Sequence, residues 1–358
     1  MGGIQVKKIA VIGTGGTGYS VASELSKRGY EVWLGEAGGE EKVEDYAVYD
    51  KKMELTGAIK GTAVIHAVTT DLGAVLEGAE HVICCTISNR DERVARAIAP
   101  HLMPGAKVLL SAGNLGSLIY HRVFQEFELE NVVVGETSGN LFSCRRAGEN
   151  TVFLGNRYKI KNAAAFPARN TQRLVEAFRD IYELIPVSCI LETAFNGPNL
   201  LSHISLTLVN AGAIENSKEP YYIFKQGICR TTINLADGLW KEKKAVMDAL
   251  GFPCIPSPSN SFRKYADPSI HEFDDFKNLA GPDSLTQRYI TEDIPILGCL
   301  FLSVAKAVGV ETPLYAAMVK LAEAVNQTNY YEQGRTTENL GLGHLRGIQI
   351  PQYFQQAD

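Results

Sequence analysis

Three glycines, Gly13, Gly15 and Gly18, stand at Gly-x-Gly-x-x-Gly spacing directly after the apolar run Ile9–Ile12 and ahead of a helical pattern reaching to about Arg28. Each has a separate use in a strand–turn–helix. Gly13 permits the tight turn, Gly15 lets the backbone approach a diphosphate, and Gly18 lets the helix pack close on the strand. The free amide groups and dipole at the helix start favour negative charge there. Alone, the motif also fits an ordinary glycine-rich turn; its context raises it. Glu36 follows Gly18 by 18 positions, near the end of the second apolar run, Val32–Leu34. A carboxylate at that place accepts from a ribose 2′-hydroxyl, so a bound dinucleotide is expected. Glu36 would repel a 2′-phosphate, and the following Ala37-Gly38-Gly39 brings no Arg to hold one, which favours NAD over NADP. Gly16, inside the turn, and Thr86, after the run Val82–Cys85, complete the cofactor-binding candidates.

Further short apolar runs follow at Ala63–Val68, Val108–Leu110 and Val132–Val134, with room for crossover helices such as Asp91–Pro100. Unbroken runs of this kind suit strands buried on both faces of a parallel sheet, and the alternation is that of a doubly wound α/β domain of the Rossmann type. Thr151–Leu154 and Tyr158–Ile160, split by Gly155-Asn156, read as an antiparallel hairpin. A helix from about Thr171 to Leu184 is expected to close the domain. Beyond Val187 the pattern turns helical, at Phe195–Glu215, Thr231–Leu250, Ile296–Val308 and Leu314–Gln327, with Pro253–Phe262 as an internal loop. The expectation is two domains, a dinucleotide-binding one over 1–184 and an all-α one over 185–358.

The 358 residues suit two domains, and 45% apolar with 21% charged residues is a globular composition. Lys and Arg total 35 against 40 Asp and Glu, without blocks of like charge, so neither nucleic acid nor a membrane surface is expected as a partner. The N-terminal apolar stretch is the first strand rather than a signal peptide, and Val6 stands where a myristoylation signal needs Ser or Thr. The apolar run Ile294–Ala305 is too short for a bilayer that needs about 20 residues. Seven scattered cysteines without a Cys-x-x-Cys pair suggest neither a metal site nor a disulfide frame, and point to a cytoplasmic protein.

The helical half carries the candidates for chemistry. At about 100° per residue, Asn199, His203, Thr207 and Asn210 share one face of an otherwise apolar helix, as suits the lining of a wet cleft. A histidine satisfied within the core is the competing reading. Arg288 and Asp293 precede the apolar run that begins at Ile294. Arg288 suits a substrate carboxylate. Asp293 suits a helix cap and equally an orienter of His203, 90 positions away in the sequence.

Beyond these residues, the chain resembles the opine dehydrogenases, the octopine/nopaline dehydrogenase family that includes bacterial N-(1-carboxyethyl)-amino acid dehydrogenases. The resemblance runs over nearly the whole chain. VIGTGGTG (Val11–Gly18), GETSGNLFSCR (Gly135–Arg145), NLLSH (Asn199–His203), AGPDSLTQRYITED (Ala280–Asp293), ETPLYAAM (Glu311–Met318) and GRTTENLGL (Gly334–Leu342) carry it. It implies a dinucleotide domain followed by a helical domain like that of 6-phosphogluconate dehydrogenase, with substrate between them. The implied reaction couples an amino acid amine to a 2-oxo acid, commonly pyruvate, and reduces the imine with NAD(P)H. It also implies His203 as acid/base, Asp293 as its partner, Asn199 as a polarising or nicotinamide-holding group and Arg288 on a substrate carboxylate. Thr137 and Cys144 would lie near the substrate, without assigned chemistry. Two positions depart from the family's usual pattern: Ile204 where Pro often follows the catalytic His, and Ser111-Ala112-Gly113-Asn114 where the turn often reads Asn-Pro-Gly. The alternatives are a hydroxyacid dehydrogenase of the 6-phosphogluconate or glycerol-3-phosphate type and a non-catalytic dinucleotide sensor. Phe195–Glu215 lacks the Lys typical of the first, and a sensor needs no acid/base pair. A homodimer is left open as the assembly.

Overall fold

In the computed structural model, which describes residues 7–37 and 51–356, side chains of the first strand are buried on both sides. Ile9 and Val11 pack on one face with Val21, Ala22 and Leu25; Ala10 and Ile12 pack on the other with Val94, Ile98 and Tyr120. That double burial is why the run reads as continuous rather than alternating. The chain divides into two compact units at Ile190/Leu191.

The strands of the first unit, in chain order, are β1 (Lys8–Ile12), β2 (Glu31–Gly35), β3 (Lys52–Gly57), β4 (Gly61–Val64), β5 (Ala67–Thr69) and β6 (His81–Cys84). They continue with β7 (Lys107–Leu110), β8 (Val133–Thr137), β9 (Phe142–Gly148), β10 (Thr151–Arg157), β11 (Ile160–Phe166) and β12 (Glu183–Pro186). The main sheet has the order β12-β11-β8-β7-β6-β1-β2-β5. Its pairs from β8 to β5 are parallel; β11 joins β8 antiparallel, and β12 runs with β11. A second sheet, β4-β3-β10-β9, packs on the helix Gly16–Lys27 that follows the glycine turn.

Three local expectations need correction. The run Ala63–Val68 divides between β4 and β5, which belong to different sheets. Gly155 and Asn156 do not form a turn: they lie inside β10, at an irregularity of its register with β9. A glycine there eases a bulge instead of reversing the chain. The hairpin is β9–β10, turned through Glu149 and Asn150. Finally, the helix that begins at Thr171 stops at Phe178 and gives way to β12.

The second unit is helical throughout its described residues. The pattern Phe195–Glu215 is broken at Gly197-Pro198 into Ile190–Phe195 and Asn199–Thr207, then passes through a 3₁₀ turn to Ala211–Glu215. Proline cannot supply an amide inside a helix but is well placed at its beginning. Within Pro253–Phe262 the last four residues already belong to the helix Ser259–Ala266. The longest helix, Arg230–Leu250, packs against Asn199–Thr207. Its N-cap is Cys229, in a reciprocal capping arrangement with Thr232, and it ends at Gly251 in the left-handed conformation with φ 73°. Cys229 is exposed, and hydrogen bonds from the Thr232 and Thr231 amides hold its thiol below the ordinary range. Glu242 of the same helix accepts from the amides of Leu314 and Tyr315, both at 2.8 Å, and so caps the helix Pro313–Asn326. No described helix is long and apolar enough to cross a membrane.

Lys243 sits on the buried stripe of the long helix with Leu239, Val246 and Met247. Desolvation pulls its ammonium down to about 8, and the nearby Cys254 thiol offsets part of this. The folded protein therefore releases this proton near pH 8 and the unfolded chain only near 10.5, so the cost of burying the charge is full below pH 8. Lys243→Met is expected to raise stability by roughly 1–3 kcal/mol at pH 7. Denaturant melts across pH should show the gain fading between about pH 8 and 10.5.

Candidate active site

His203 lies in the middle of Asn199–Thr207, a helix opened by Pro198. Asp293 follows the short helix Arg288–Thr291 and leads into a π-helical turn, Ile294–Gly298, with Pro295 in its first positions. Such turns interrupt the α-helical ladder and recur at functional sites. The Asp293 side chain makes no capping bond. Its Oδ2 instead lies 2.5 Å from His203 Nδ1, with both side chains buried, and its Oδ1 accepts from Asn199 Nδ2 at 3.5 Å. One carboxylate thus spans one turn of the opposing helix. Because a carboxylate can only accept, Nδ1 carries the proton and Nε2 is left for other chemistry.

Two further groups complete this cluster. The ring of Tyr289 lies 3.5 Å from that of His203 between centroids, at an interplanar angle of 9°. Tyr315, buried beside Asp293, donates from its hydroxyl to Leu200 O at 2.8 Å and ties the helix of His203 in place. Burial, with the charge of Asp293 adding to it, pushes the Tyr315 phenol well above its ordinary range. The proline difference has a simple local setting: Ile204 is buried within an unbroken helical turn.

The remaining candidates of this unit are engaged elsewhere. Arg288 is half-exposed and pairs through Nε with Glu292 one helical turn on, at 3.6 Å. Asn210 donates to Leu206 O and Gly227 O and accepts from Tyr221 OH, so it serves the fold. Among the described residues no group of three or more His, Cys, Asp or Glu side chains is arranged to hold a metal ion.

In the first unit, the glycine turn brings the helix Gly16–Lys27 close against β1. Gly13 has φ 110°, and a Cβ on Gly18 would fall 1.7 Å from Gly13 O, so no larger residue allows this approach of helix to strand. A Cβ on Gly15 would meet nothing within 4 Å, and one on Gly16 only ordinary contacts with β9. A Cβ on Gly13 would come within 3.1 Å of the Thr86 methyl. Glu36, one residue past β2, accepts from the amide of Thr14 at 3.2 Å and from its hydroxyl. Its carboxylate therefore stands at the glycine turn. The position of Gly38 and Gly39 falls outside the described residues.

Thr137 and Cys144 are turned into the first unit. Thr137 Oγ1 accepts from Ala112 N and donates to Gly139 O, at 3.3 and 2.9 Å. Cys144, buried on β9, has its Sγ 3.8 Å from Thr17 Oγ1 on the helix Gly16–Lys27. Lys161 is a cation that sequence reasoning missed. Its ammonium donates to Ser138 O at 3.1 Å, beyond the end of β8, and burial draws it down to about 8.

The loop after β7 holds Ala112, Asn114 and Leu115 at φ 62°, 51° and 69°. A proline at position 112 is incompatible with that conformation, which accounts for a turn unlike Asn-Pro-Gly. Glu136, fully buried, holds this loop: it accepts from Leu115 N at 2.9 Å, Ser117 N at 3.1 Å and Ser117 Oγ at 2.8 Å. Residue 113 must be glycine, since a Cβ there would come within 2.6 Å of the Glu136 carboxylate.

Comparison with known proteins agrees with both halves of this arrangement. Residues 186–326 match the model for the α-helical domain of NAD/NADP octopine/nopaline dehydrogenases, and residues 9–159 match that of ketopantoate reductase PanE/ApbA. An opine dehydrogenase of Arthrobacter sp. (strain 1C) is 28% identical over 97% of this chain and 98% of its own. Octopine dehydrogenase solved with NADH and L-arginine has a similar fold, at TM-score 0.69, 15% identity and 99% of both chains. Its structure with NADH and pyruvate gives TM-score 0.62 and 17% identity, over 98% of this chain and 96% of that one. Over nearly its whole length the chain is thus similar to opine dehydrogenases, and its helical unit matches the helical domain of that family. These relatives are NAD- or NADP-linked dehydrogenases, and the octopine dehydrogenase structures hold NADH.

The Glu136 clamp is open to a direct test. Glu136→Ala leaves two buried amides without an acceptor, and the expected loss is roughly 2–4 kcal/mol. Thermal or denaturant melts should show it, with Glu136→Gln losing less.

Proposed function

We propose that this protein is an NAD(H)-dependent opine dehydrogenase that joins the amine of an amino acid to a 2-oxo acid, with pyruvate the preferred oxo acid, and runs the reverse oxidation. The observation that carries this reading is the buried His203–Asp293 pair, with Asn199 on the second carboxylate oxygen. In balance, amino acid, 2-oxo acid, NADH and a proton give the N-(carboxyalkyl)amino acid, NAD⁺ and water. The nicotinamide supplies the hydride that reduces the imine carbon.

The chain's own residues have the remaining work. An incoming ammonium must lose a proton before nitrogen attacks, and the carbinolamine hydroxyl must gain one to leave as water. His203 Nε2 suits both transfers, because Asp293 holds Nδ1 and stabilises the imidazolium formed between them. Asn199 keeps the carboxylate from rotating away. Arg288, open to solvent on the side away from buried Glu292, supplies a guanidinium for a substrate carboxylate. The first unit holds the dinucleotide through Gly13, Gly15, Gly16, Gly18 and Thr86, with Glu36 on the adenosine ribose. The room at Gly15 and the carboxylate at Thr14 support this assignment.

His203→Ala is expected to lower kcat by roughly 10²–10⁴ while NADH binding persists. The measurement is NADH consumption over a grid of amino acids and 2-oxo acids with single-substrate controls. Undiminished turnover in the variant, or equal oxidation with the oxo acid alone, contradicts the proposal. NADH should also be preferred to NADPH in kcat/KM, and Glu36→Ala should narrow that preference by weakening NADH and admitting the 2′-phosphate.

A further inference from the structure

We infer that Tyr289 is a positioning residue for the acid–base histidine: its stacked ring fixes the plane of the His203 imidazole and thereby the direction of Nε2. The inference rests on the role proposed for His203 and extends it to a residue that acts through the histidine.

The hydrogen bond to Asp293 restrains one nitrogen of the ring. A single bond of this kind still lets the imidazole rock about the Nδ1···Oδ2 line, and rocking sweeps Nε2 through an arc. A flat surface against one face removes that freedom. Tyr289 provides it at 3.5 Å and 9° from parallel, and both rings are buried. The two restraints are mechanically linked. Tyr289 and Asp293 are four residues apart, on a segment that begins as the helix Arg288–Thr291 and passes into the π turn Ile294–Gly298. Backbone bonds from Glu292 N to Arg288 O and from Ile296 N to Glu292 O carry the ladder across the join. One rigid segment therefore holds the imidazole by its edge and by its face.

The type of contact also suits the chemistry. Two neutral rings prefer an offset or edge-to-face arrangement, whereas a cation over an aromatic face is attracted by the ring's quadrupole. A parallel stack at this distance is most favourable when His203 is the imidazolium, the form it takes between accepting one proton and giving up the next. The attraction belongs to the ring, so the hydroxyl of Tyr289 is not required for it.

The test compares Tyr289→Phe and Tyr289→Leu with the unaltered enzyme, reading kcat, the two organic KM values and the NADH dissociation constant. Displacing a reacting group by about 1 Å costs on the order of 10² in rate. Tyr289→Leu should accordingly lose about 10- to 100-fold in kcat while the KM values and NADH binding stay within about threefold. Tyr289→Phe should keep kcat within about threefold, since the stacking face survives. An unchanged kcat in the Leu variant overturns the inference, as does a Phe variant that loses as much as Leu or a loss confined to KM. Should the Leu variant not fold, Tyr289→Met takes its place, and the Phe result alone still decides against the inference if activity is lost. The stack has a readout apart from turnover. The Cε1–H proton resonance of His203, assigned by its absence in His203→Ala, should be shifted upfield in the unaltered protein and in Tyr289→Phe, and return toward the ordinary position in Tyr289→Leu. A shifted resonance in a protein that turns over no amino acid and oxo acid pair would count against the proposed function and not against the stack. Turnover with an unshifted resonance would do the reverse.

Discussion

A carboxylate withdrawn from water must be met by donors, or the cost of its burial falls on the whole domain. Asp293 is such a group, and the helical unit is arranged to meet it. Its two oxygens are served from one face of Asn199–Thr207, by His203 and Asn199. That requires two segments ninety residues apart to hold one register. Tyr315 fastens the first segment through Leu200 O, and Tyr315 is itself set by Glu242, which caps its helix from the long helix Arg230–Leu250. The π turn delivers Asp293 from the other side. Removing either donor leaves a buried charge, so the packing of four helical segments and the readiness of His203 depend on the same contact.

The glycine turn obeys a different constraint. Gly13 and Gly18 are required by the protein itself, because a side chain at either would strike neighbouring backbone. Nothing in the described fold stands in the way of a side chain at Gly15. Internal packing thus explains two of the three glycines and leaves the third to the dinucleotide proposed above. Glu36 at Thr14 marks the neighbouring place where a ribose would be read.

What could be read beforehand follows from how far each signal extends along the chain. The strands of the parallel sheet are legible because burial on both faces leaves continuous apolar runs. The second sheet is only partly so: the runs at Ala63–Val68 and Thr151–Leu154 touch β4 and β10, whereas β3 alternates buried and exposed residues and forms no continuous apolar run. The break at Gly197-Pro198 was visible as a breaker but overridden by the apolar pattern on either side of it. Asp293 had two uses open to it, as a cap or as a partner of His203, and only contact across ninety positions distinguishes them. Glu136 was illegible for another reason: its partners are mainly backbone amides, which leave no trace in side-chain identity. Tyr289 stood in a quoted motif, yet a stacking partner is defined by distance and plane and not by spacing.

The cap of the long helix has a practical side. Five of the seven thiols are removed from easy reaction by burial or by partial cover within the first unit and around Ser188 and Cys299, and Cys254 is half-covered as well. Cys229 alone is exposed, and its amide contacts favour the thiolate, the form that attacks alkylating reagents. A gentle maleimide or iodoacetamide reaction would therefore mark one place on the molecule first. The label would sit at the start of the helix that packs against the helix of His203, a fixed reporter beside the site that leaves His203 and Asp293 untouched.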